Sequence, residues 1–313
     1  MNRSHYILLL IYIYQTCLIF DTHCHEFSEV VCGKNNIAYD LPFCVPEIYN
    51  KGTLPSPDEP INITVVVNLV DIINVDDNDY TITFTAEISI TWLESRLKLN
   101  LNSSKWLKDR DGVKWTDVDL KYLDVFWMPS LDILNVKKFE IHSILETQGF
   151  VELYEDKRLW YEIPVDITLH CPLFDFQRYP FDTQACEFYI GSYIYESDTV
   201  MFSGKVFYNL ANQRKLQYQV KEITALSFEE GLINYTSYYN SLSGKQSNEI
   251  LTYSHFGVKM AFERKLQQHI LCTYLPSFLL VLCSWIGFLI NPDKVPGRIA
   301  LSVTLLLVLI NMR

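Results

Sequence analysis

The feature that most constrains the fold is an uncharged apolar stretch near the end of the chain. Residues 270–290 hold no charged side chain over 21 positions. A helix of that length rises about 30 Å, which matches the hydrocarbon core of a bilayer. A buried helix of a soluble domain is the alternative, but such helices seldom remain uncharged over so many residues. The stretch therefore predicts a membrane-spanning helix, in which Pro276 is tolerated.

A second apolar stretch covers residues 299–310, shortly before the sequence ends, and is too short to cross a bilayer. Lys294 and Arg298 lie in the link between the two stretches, and the positive-inside tendency places such a link in the cytosol. We therefore expect a membrane region at 266–313, with a first helix at 270–290 and a second, pore-lining helix that starts at 297–313 and is cut before its end.

The beginning of the chain is typical of a targeting segment. Residues 1–23 have a short basic start and an apolar run that is shorter than a membrane span, which predicts a secretory signal peptide. An uncleaved anchor helix is the alternative. Either segment delivers the rest of the chain to an oxidising compartment. Three glycosylation sequons agree with an extracellular surface: Asn62, Asn102 and Asn234.

From about residue 60 to residue 265, within an expected extracellular domain at 24–265, the pattern predicts one β-strand after another. At residues 80–92 apolar and polar side chains alternate without a miss, from Ile82 to Trp92, which is typical of a strand with one face in a core. Further strands are expected at 62–73, 137–145, 150–153, 159–168, 186–190, 217–226 and 249–262. Short strands at near-regular spacing favour an all-β, immunoglobulin-like sandwich as the extracellular domain, followed by an α-helical membrane region that is incomplete.

Composition and motifs exclude other classes of protein. A formal net charge of −11 opposes nucleic-acid binding, which needs a basic surface. A content of 14% aromatic residues excludes a disordered chain. An enzyme is an alternative from another class, but His170 lies beside a cysteine that is expected to be bridged, and no common catalytic or phosphate-binding motif occurs. We therefore expect no enzymatic activity, no cofactor and no metal.

The cysteines divide by location. Cys17 falls in the predicted signal peptide, Cys24 lies near its cleavage region, and Cys272 and Cys283 lie in the first membrane helix. The remaining four predict two disulfides in an oxidising compartment, Cys32–Cys44 and Cys171–Cys186. Zinc is the alternative for these cysteines, but neither a Cys-x-x-Cys spacing nor a nearby histidine pair supports it.

Residues 171–186 carry a family resemblance. Tyr179, Pro180 and Asp182 match the aromatic-Pro-x-Asp core of the signature loop of the Cys-loop receptors, which are pentameric ligand-gated ion channels. The loop holds 14 residues between its cysteines, one more than the common family pattern. Further segments resemble the family in the right order: residues 92–97, 127–129 and 191–195, Arg264 and Pro276. The resemblance implies a homo- or hetero-pentamer, an extracellular ligand-binding domain with its agonist site between subunits, and an ion pore lined by the second membrane helix.

The resemblance also indicates residues that bind the agonist. Tyr193 and Tyr195 belong to a matched binding segment, and aromatic faces attract ammonium groups. The polar stretch before the last strand resembles the loop that caps the site and contains Tyr235, Tyr238 and Tyr239. Ordinary exposed tyrosines are the alternative for each of them.

Two positions bear on the class of agonist. Glu87 takes a place where many relatives carry an aromatic residue, so its carboxylate could accept an amine directly. Leu134 occupies a place where acetylcholine-type subunits normally carry tyrosine, and the capping loop lacks adjacent cysteines. These differences oppose an acetylcholine-type principal subunit. The agonist is expected to be a small amino acid or amine.

The start of the second membrane helix indicates ion selectivity. Pro296, Gly297 and Arg298 resemble the Pro-Ala-Arg sequence that opens the pore helix of anion-conducting members, whereas cation-conducting members carry glutamate where Gly297 stands. Five helix N-termini together with Arg298 then favour chloride at the cytosolic mouth. The predicted pore wall is one helix face: Ala300, Thr304 and Leu307. A contact face between helices is the alternative for that wall.

Coupling between the agonist site and the pore is expected in the loops near the membrane. By resemblance these loops contain Asp77, Asp182 and Arg264, and both an ion pair with Arg264 and an ordinary solvated turn are compatible with the sequence. The sequence thus predicts an agonist-gated chloride-channel subunit of the plasma membrane. A postsynaptic location is the most specific form of this prediction. A non-conducting, membrane-tethered binding module and a cation-selective member of the same family are the alternatives.

Overall fold

A computed structural model describes residues 30–33, 40–110, 112–142, 149–210, 217–227, 231–237, 249–291 and 295–311. The predicted signal peptide at 1–23 lies outside these residues, as do Cys24, Tyr238 and Tyr239. The signal peptide and the domain boundaries stay predictions.

Up to Arg264, the described residues form fifteen strands and one short 3₁₀ turn at Leu120–Val125. The strands are β1 Phe43–Cys44, β2 Ile61–Asp76, β3 Thr81–Leu93, β4 Lys98–Leu99, β5 Leu107–Arg110, β6 Val113–Val118, β7 Asp132–Leu134, β8 Val136–Ile141, β9 Phe150–Tyr154, β10 Arg158–His170, β11 Thr183–Gly191, β12 Val200–Tyr208, β13 Tyr218–Ala225, β14 Leu232–Ser237 and β15 Glu249–Arg264.

The strands form two large sheets and a small one. The larger sheet has eight strands in the order β12-β2-β3-β10-β9-β6-β5, with β8 also paired to β10. The second has five strands in the order β13-β15-β11-β7, with β14 paired to β15, and β1 pairs with β4. The two large sheets share one apolar core. In it, the ring centres of Phe84 and Phe188, from opposite sheets, are 5.6 Å apart. The predicted sandwich is confirmed.

Strand β3 shows why the sequence pattern predicts this core. Its alternate residues from Ile82 to Trp92 all face the core and are at most 6% exposed. The residues between them are polar and face the other side of the sheet, where Thr85 donates to Asp166 and Thr83 bonds Thr168. One strand therefore supplies the core with one face and leaves the other for polar chemistry.

Seven of the described strands were not expected from the sequence: β1, β4, β5, β6, β7, β12 and β14. β12 pairs parallel with β2, and its apolar alternation stops after Phe202, so the pattern was too short to predict a strand. Gly204 lies so close to β2 that a Cβ atom there would be 2.0 Å from the carbonyl oxygen of Val65. β14 forms a hairpin with β15, in the stretch that the sequence indicated as a capping loop.

A buried polar network joins two of the family-like segments. The carboxylate of Glu94 is fully buried and accepts two hydrogen bonds from the Arg96 guanidinium, each at 2.7 Å. Tyr49 donates its hydroxyl hydrogen to Glu94 at 3.0 Å, and its oxygen accepts from the backbone N–H of Trp127 at 2.9 Å. Residues 92–97 and 127–129 are thereby fixed against each other, which positions the loop that follows Trp127.

Both expected disulfides are present, Cys32–Cys44 and Cys171–Cys186. The second closes the loop between β10 and β11, which lies at the end of the sandwich from which β15 leads to the helices. Both of its sulfur-bearing residues are fully buried, so the disulfide belongs to the core of the sandwich.

The chain becomes helical directly after β15. A short helix α1 at Leu266–His269, a wider π-helical turn at Ile270–Tyr274 and helix α2 at Leu275–Leu289 follow one another without a break. Pro276 opens α2, and its missing N–H accounts for the irregular turn before it. The run Ile270–Leu289 has 20 residues with a mean hydropathy of 1.9, long and apolar enough to cross a membrane. Helix α3 follows at Val295–Asn311.

Candidate functional site

The best-defined polar site lies where the sandwich meets the helices. Arg264, the last residue of β15, is 3% exposed. Its Nε and Nη2 atoms donate to the two carboxylate oxygens of Asp182 at 2.8 and 2.9 Å, and its Nη1 donates to Asp77 at 2.8 Å. The arginine therefore joins the β2–β3 turn to the disulfide loop. The sequence left this pairing open, and the structure brings all three predicted coupling residues together.

Two tyrosines complete the surroundings of the arginine. The guanidinium carbon of Arg264 lies 4.8 Å from the ring centre of Tyr179 and 4.5 Å from that of Tyr218, which are cation–π distances. Tyr218 also donates its hydroxyl hydrogen to Asp77 at 2.6 Å, and Gln184 donates to Asp182. We name Arg264, Asp77, Asp182, Tyr179 and Tyr218 the arginine cluster.

The ionisation of the arginine cluster is set by its hydrogen bonds. Burial disfavours the charged form of Asp182, but hydrogen bonds from Arg264 and Gln184 outweigh it and lower the pKa of that carboxyl. The same balance raises the pKa of Arg264, since its bonds to Asp182 and Asp77 overcome its burial. Burial, followed by the bond to Asp77, raises the pKa of Tyr218. The ion pair is thus fully charged at neutral pH.

The turn that carries Asp77 is built by its neighbour. The Oδ1 atom of Asp76 accepts from the backbone N–H groups of Asn78 and Asp79, at 2.9 and 3.2 Å. Such an Asx turn reverses the chain locally without help from other elements. Asp79 remains exposed at the turn, with Lys137 4.0 Å away. Asp77 is thereby the aspartate of this turn that points into the cluster.

The disulfide loop also contacts the first helix directly. The hydroxyl of Tyr179 lies 3.0 Å from Nδ1 of His269, and the two rings meet edge to face with centres 5.2 Å apart. Sequence reasoning missed His269 and Tyr218, because nothing local marks a histidine or a tyrosine that contacts a loop far away in the chain. Phe181 in the same loop is 68% exposed.

The predicted agonist-binding segment follows β11. Ser192 accepts from the backbone N–H groups of Ile194 and Tyr195 at 3.1 and 3.0 Å, which closes a tight turn. That turn leaves Tyr193 77% exposed, while Tyr195 is half-buried with its ring 6.2 Å from that of Trp127. Tyr193 is thus free to contact a ligand, and Tyr195 supports the turn from behind.

Steric crowding requires a glycine at position 191, at the start of this segment. A Cβ atom there would lie 2.3 Å from the ring of His255 on the paired strand β15, and 2.7 Å from the carbonyl oxygen of Ser254. Only glycine allows the buried imidazole to lie against this strand. Burial lowers the pKa of His255, so the imidazole is neutral beneath the turn.

Glu87 belongs to the other sheet. It lies on the polar face of β3, half-buried, and accepts from the side chain of Asn68 at 2.8 Å. Its carboxylate projects away from the core that the two sheets share. Glu87 therefore lies on the larger sheet, whereas Tyr193 lies in the turn that follows β11 of the other sheet.

The structure describes some, but not all, of the remaining predicted ligand-binding and glycosylation positions. Tyr235 lies in strand β14, paired with Leu251, and not in a loop. The three sequon asparagines are exposed, and Asn234 accepts from Thr252 at 2.7 Å: Asn62, Asn102 and Asn234. Within the described ranges, no group of three or more His, Cys, Asp or Glu side chains is arranged to hold a metal ion.

Helix α3 presents two faces. Arg298, Leu301 and Leu305 line a cleft of about 450 Å³ against α2, and Nε of Arg298 donates to the carbonyl oxygen of Gly287 at 3.2 Å. At about 100° per residue, the predicted pore wall lies more than a quarter-turn from this cleft. That wall consists of Ala300, Thr304 and Leu307, all exposed, with the Thr304 hydroxyl bonded back to Ala300 at 2.9 Å.

The first turn of α3 is open. Pro296 and Gly297 are exposed, and a Cβ atom at Gly297 would meet no other atom within 4 Å. The arginine at 298 is directed towards α2, so its charge lies beside the helix terminus and not on the predicted pore wall.

Comparison with known proteins matches residues 44–266 to the family model described as the neurotransmitter-gated ion-channel ligand binding domain. Among curated relatives, the gamma-aminobutyric acid receptor subunit pi of Bos taurus is 26% identical over 264 residues, covering 83% of this chain and 54% of that protein. The subunit beta of Lymnaea stagnalis is 30% identical over 247 residues, 79% of this chain and 46% of that protein. The subunit beta-4 of Gallus gallus is 27% identical over 248 residues. The chain spans about half the length of these relatives.

Proposed function

Because this chain belongs to the family of neurotransmitter-gated ion channels, the Cys-loop receptors, and resembles gamma-aminobutyric acid receptor subunits, we propose that it is an agonist-gated, chloride-conducting subunit of a pentamer. The proposed domains are a signal peptide at 1–23, a ligand-binding sandwich at 24–265 and a membrane region at 266–313. The members of this family are ion channels and not enzymes. The disulfides and the exposed sequon asparagines support an extracellular sandwich at the plasma membrane.

The observation that carries the proposal is the arginine cluster. Arg264 ends the last strand of the sandwich and Leu266 begins the first helix, so a single residue separates the buried ion pair from the membrane region. The same side chain holds the β2–β3 turn and the disulfide loop. A displacement of either loop by a bound agonist therefore reaches the first helix through contacts that are buried and charged. We assign Asp77, Asp182 and Arg264 to this coupling.

The agonist is proposed to bind between neighbouring subunits. One subunit offers Tyr193 on its exposed turn, supported by Tyr195, together with Tyr235 of β14; Tyr238 and Tyr239 of the expected capping loop are included in the proposal from the sequence alone. The neighbour offers Glu87 from the polar face of its larger sheet. A site divided between two subunits is supported by the placement of Glu87 on the larger sheet and of Tyr193 in the turn after β11 of the other sheet.

Chloride selectivity is proposed from the start of α3. Gly297 places no carboxylate at the first turn, and the helix N-termini of five subunits each carry about half a positive charge. Arg298 adds a fixed charge beside this terminus, and Ala300, Thr304 and Leu307 form the pore wall, with Leu307 as the constriction.

The test is electrical. The full-length subunit, alone and with candidate partner subunits, is expressed in oocytes and challenged with amine and amino-acid agonists. In a chloride-conducting pentamer the reversal potential moves by about 59 mV for each tenfold change in chloride concentration. A reversal potential that ignores chloride and follows sodium rejects the selectivity, and agonist binding without any current favours a non-conducting binding module.

A further inference from the structure

The end of helix α2 meets the start of helix α3 at one backbone carbonyl group. Helix α2 ends at Leu289, and Ile290 after it has an extended backbone. The carbonyl oxygen of Gly287 is therefore among the last four of the helix, which have no N–H partner within it. Nε of Arg298, in the first turn of α3, donates to this oxygen at 3.2 Å. Arg298 thus caps the end of α2 from another helix.

A second side chain of α3 contacts the same residue of α2. The position that a Cβ atom would take at Gly287 is 3.4 Å from Cδ2 of Leu301, so the two helices are in van der Waals contact at this level. Leu301 lies three positions after Arg298, and residues three apart project from the same face of a helix. One polar and one apolar contact therefore hold α3 against α2 at Gly287.

The surroundings of the carbonyl strengthen the polar contact. Gly287 and Arg298 line the cleft between the two helices together with apolar side chains, among them Phe288, Leu301 and Leu305. A carbonyl group without a donor is unfavourable in such surroundings, and a hydrogen bond from a charged donor is stronger than one from a neutral donor. The C-terminus of a helix also carries partial negative charge, which attracts a guanidinium group. These interactions account for the half-buried position of Arg298 against α2.

This attachment determines which face of α3 is turned away from α2. Leu307 follows Arg298 by nine positions, which at about 100° per residue places it about half a turn around the helix from Arg298. Ala300 and Thr304 share the face of Leu307. Because Arg298 and Leu301 are fixed on α2, the predicted pore wall is directed away from it.

We propose that Arg298 is a positioning residue, which attaches the start of the pore helix to the end of α2 through the bond from its Nε to Gly287. This inference rests on the proposed function, since it takes α3 as the pore helix. The attachment is separate from the charge that Arg298 carries at the pore mouth. The charge requires the guanidinium group, whereas the attachment requires one N–H donor at the place of Nε.

Two variants separate the bond from the charge. Arg298→Gln removes the charge but keeps an N–H donor, because Nε2 of glutamine is as many bonds from the backbone as Nε of arginine. Arg298→Met has an unbranched side chain that reaches equally far, and it removes both the donor and the charge. Ser302→Ala is the matched control. Ser302 lines the same cleft, but its hydroxyl donates to the Arg298 carbonyl oxygen of its own helix at 2.9 Å and does not join the two helices.

Three readouts are taken on the full-length receptor: the thermal midpoint of the purified protein, the agonist concentration for half-maximal current in oocytes, and the rate at which a water-soluble thiol reagent modifies Thr304→Cys. Each rate is compared with that of the same receptor without the new cysteine, since Cys272 and Cys283 lie in α2. We expect Arg298→Met to lower the midpoint by about 3–6 °C and to change the other two quantities about tenfold, as expected for the loss of one charge-assisted hydrogen bond. Arg298→Gln is expected to restore most of each difference, and Ser302→Ala to behave as wild type.

The outcomes distinguish the bond from the charge. Equal effects of Arg298→Gln and Arg298→Met overturn the inference, also when neither receptor reaches the cell surface, because the donor is then not sufficient. Wild-type behaviour of both variants overturns it as well. A receptor that folds with glutamine but not with methionine supports the attachment. If no agonist evokes a current in any receptor, the channel function is rejected, and the thermal midpoints still decide whether the bond holds the two helices together.

Discussion

The substitution Asp182→Asn tests the arginine cluster directly. Both side chains of the Asp182–Arg264 pair are 1% exposed, and two hydrogen bonds of 2.8 and 2.9 Å join them. Asparagine fills the same volume, but its NH₂ group faces a guanidinium that can only donate. One of the two bonds is then lost, and Arg264 keeps Asp77 as its remaining carboxylate partner.

The expected loss follows from this geometry. Removing one partner of a buried ion pair costs about 3–5 kcal/mol, because the other charge stays buried without full compensation. Since Asp77 still bonds Arg264 at 2.8 Å, we expect the lower end, about 3 kcal/mol. For a domain of this size that corresponds to a fall in the thermal midpoint of about 6–12 °C.

The assay is thermal unfolding of the purified receptor, with agonist-evoked current as a second readout. Asp79→Asn is the matched control. Asp79 lies on the same turn as Asp77, but its side chain is 70% exposed and its ion pair with Lys137 is long, at 4.0 Å. An exposed pair of this kind contributes about 0–1 kcal/mol. If Asp182→Asn lowers the midpoint no more than Asp79→Asn does, the buried ion pair does not hold the junction, and the reasoning is refuted.

Three further predictions concern other parts of the chain. Folding lowers the pKa of Asp182, so the stability that this carboxylate supplies is complete above its ordinary pKa of 3.8 and is lost as the pH falls below that value. Chemical unfolding across pH 2–7 is therefore expected to show that the difference in free energy of unfolding between wild type and Asp182→Asn decreases in acid. Gly204→Ala would place a Cβ atom 2.0 Å from the Val65 carbonyl oxygen, so the thermal midpoint should fall by the equivalent of about 1–3 kcal/mol or more, whereas Gly112→Ala, with open space but a positive φ, serves as a comparison for backbone strain alone. Gly297→Glu adds a carboxylate in open space at the first turn of α3 and is expected to move the reversal potential from the chloride towards the cation equilibrium potential, while the uncharged Gly297→Gln should not.

The success of sequence reasoning depended on how local each signal was. The alternation from Ile82 to Trp92 is local, and every apolar residue in it is buried as predicted. Strand β12 was not predicted, because its place in the sheet depends on a parallel partner strand and on the fit of Gly204 against Val65. No local sequence pattern indicates either contact. The sequence indicated a loop at Tyr235, because the strand β14 that contains it pairs, among the described strands, with β15 alone.

The coupling site shows the same limit at longer range. Asp77 and Arg264 are 187 positions apart in the chain, and their pairing depends on the fold of both sheets. The sequence contained the aspartates, the arginine and the disulfide loop, but composition alone could not distinguish a buried ion pair from a solvated acidic turn. The contact of His269 with Tyr179 has the same cause: His269 ends α1 and Tyr179 lies in the disulfide loop, and only the tertiary structure brings the two together.

The two faces of β3 explain how one domain can be both rigid and responsive. Ile88 faces the core at 6% exposure, while its neighbour Glu87 projects to the opposite side and is half-buried beside Asn68. The strand then leads back through the turn that carries Asp77 to the arginine cluster. The proposed agonist contact at Glu87 therefore lies on a strand whose other face is packed in the core and which begins at the turn bonded to Arg264.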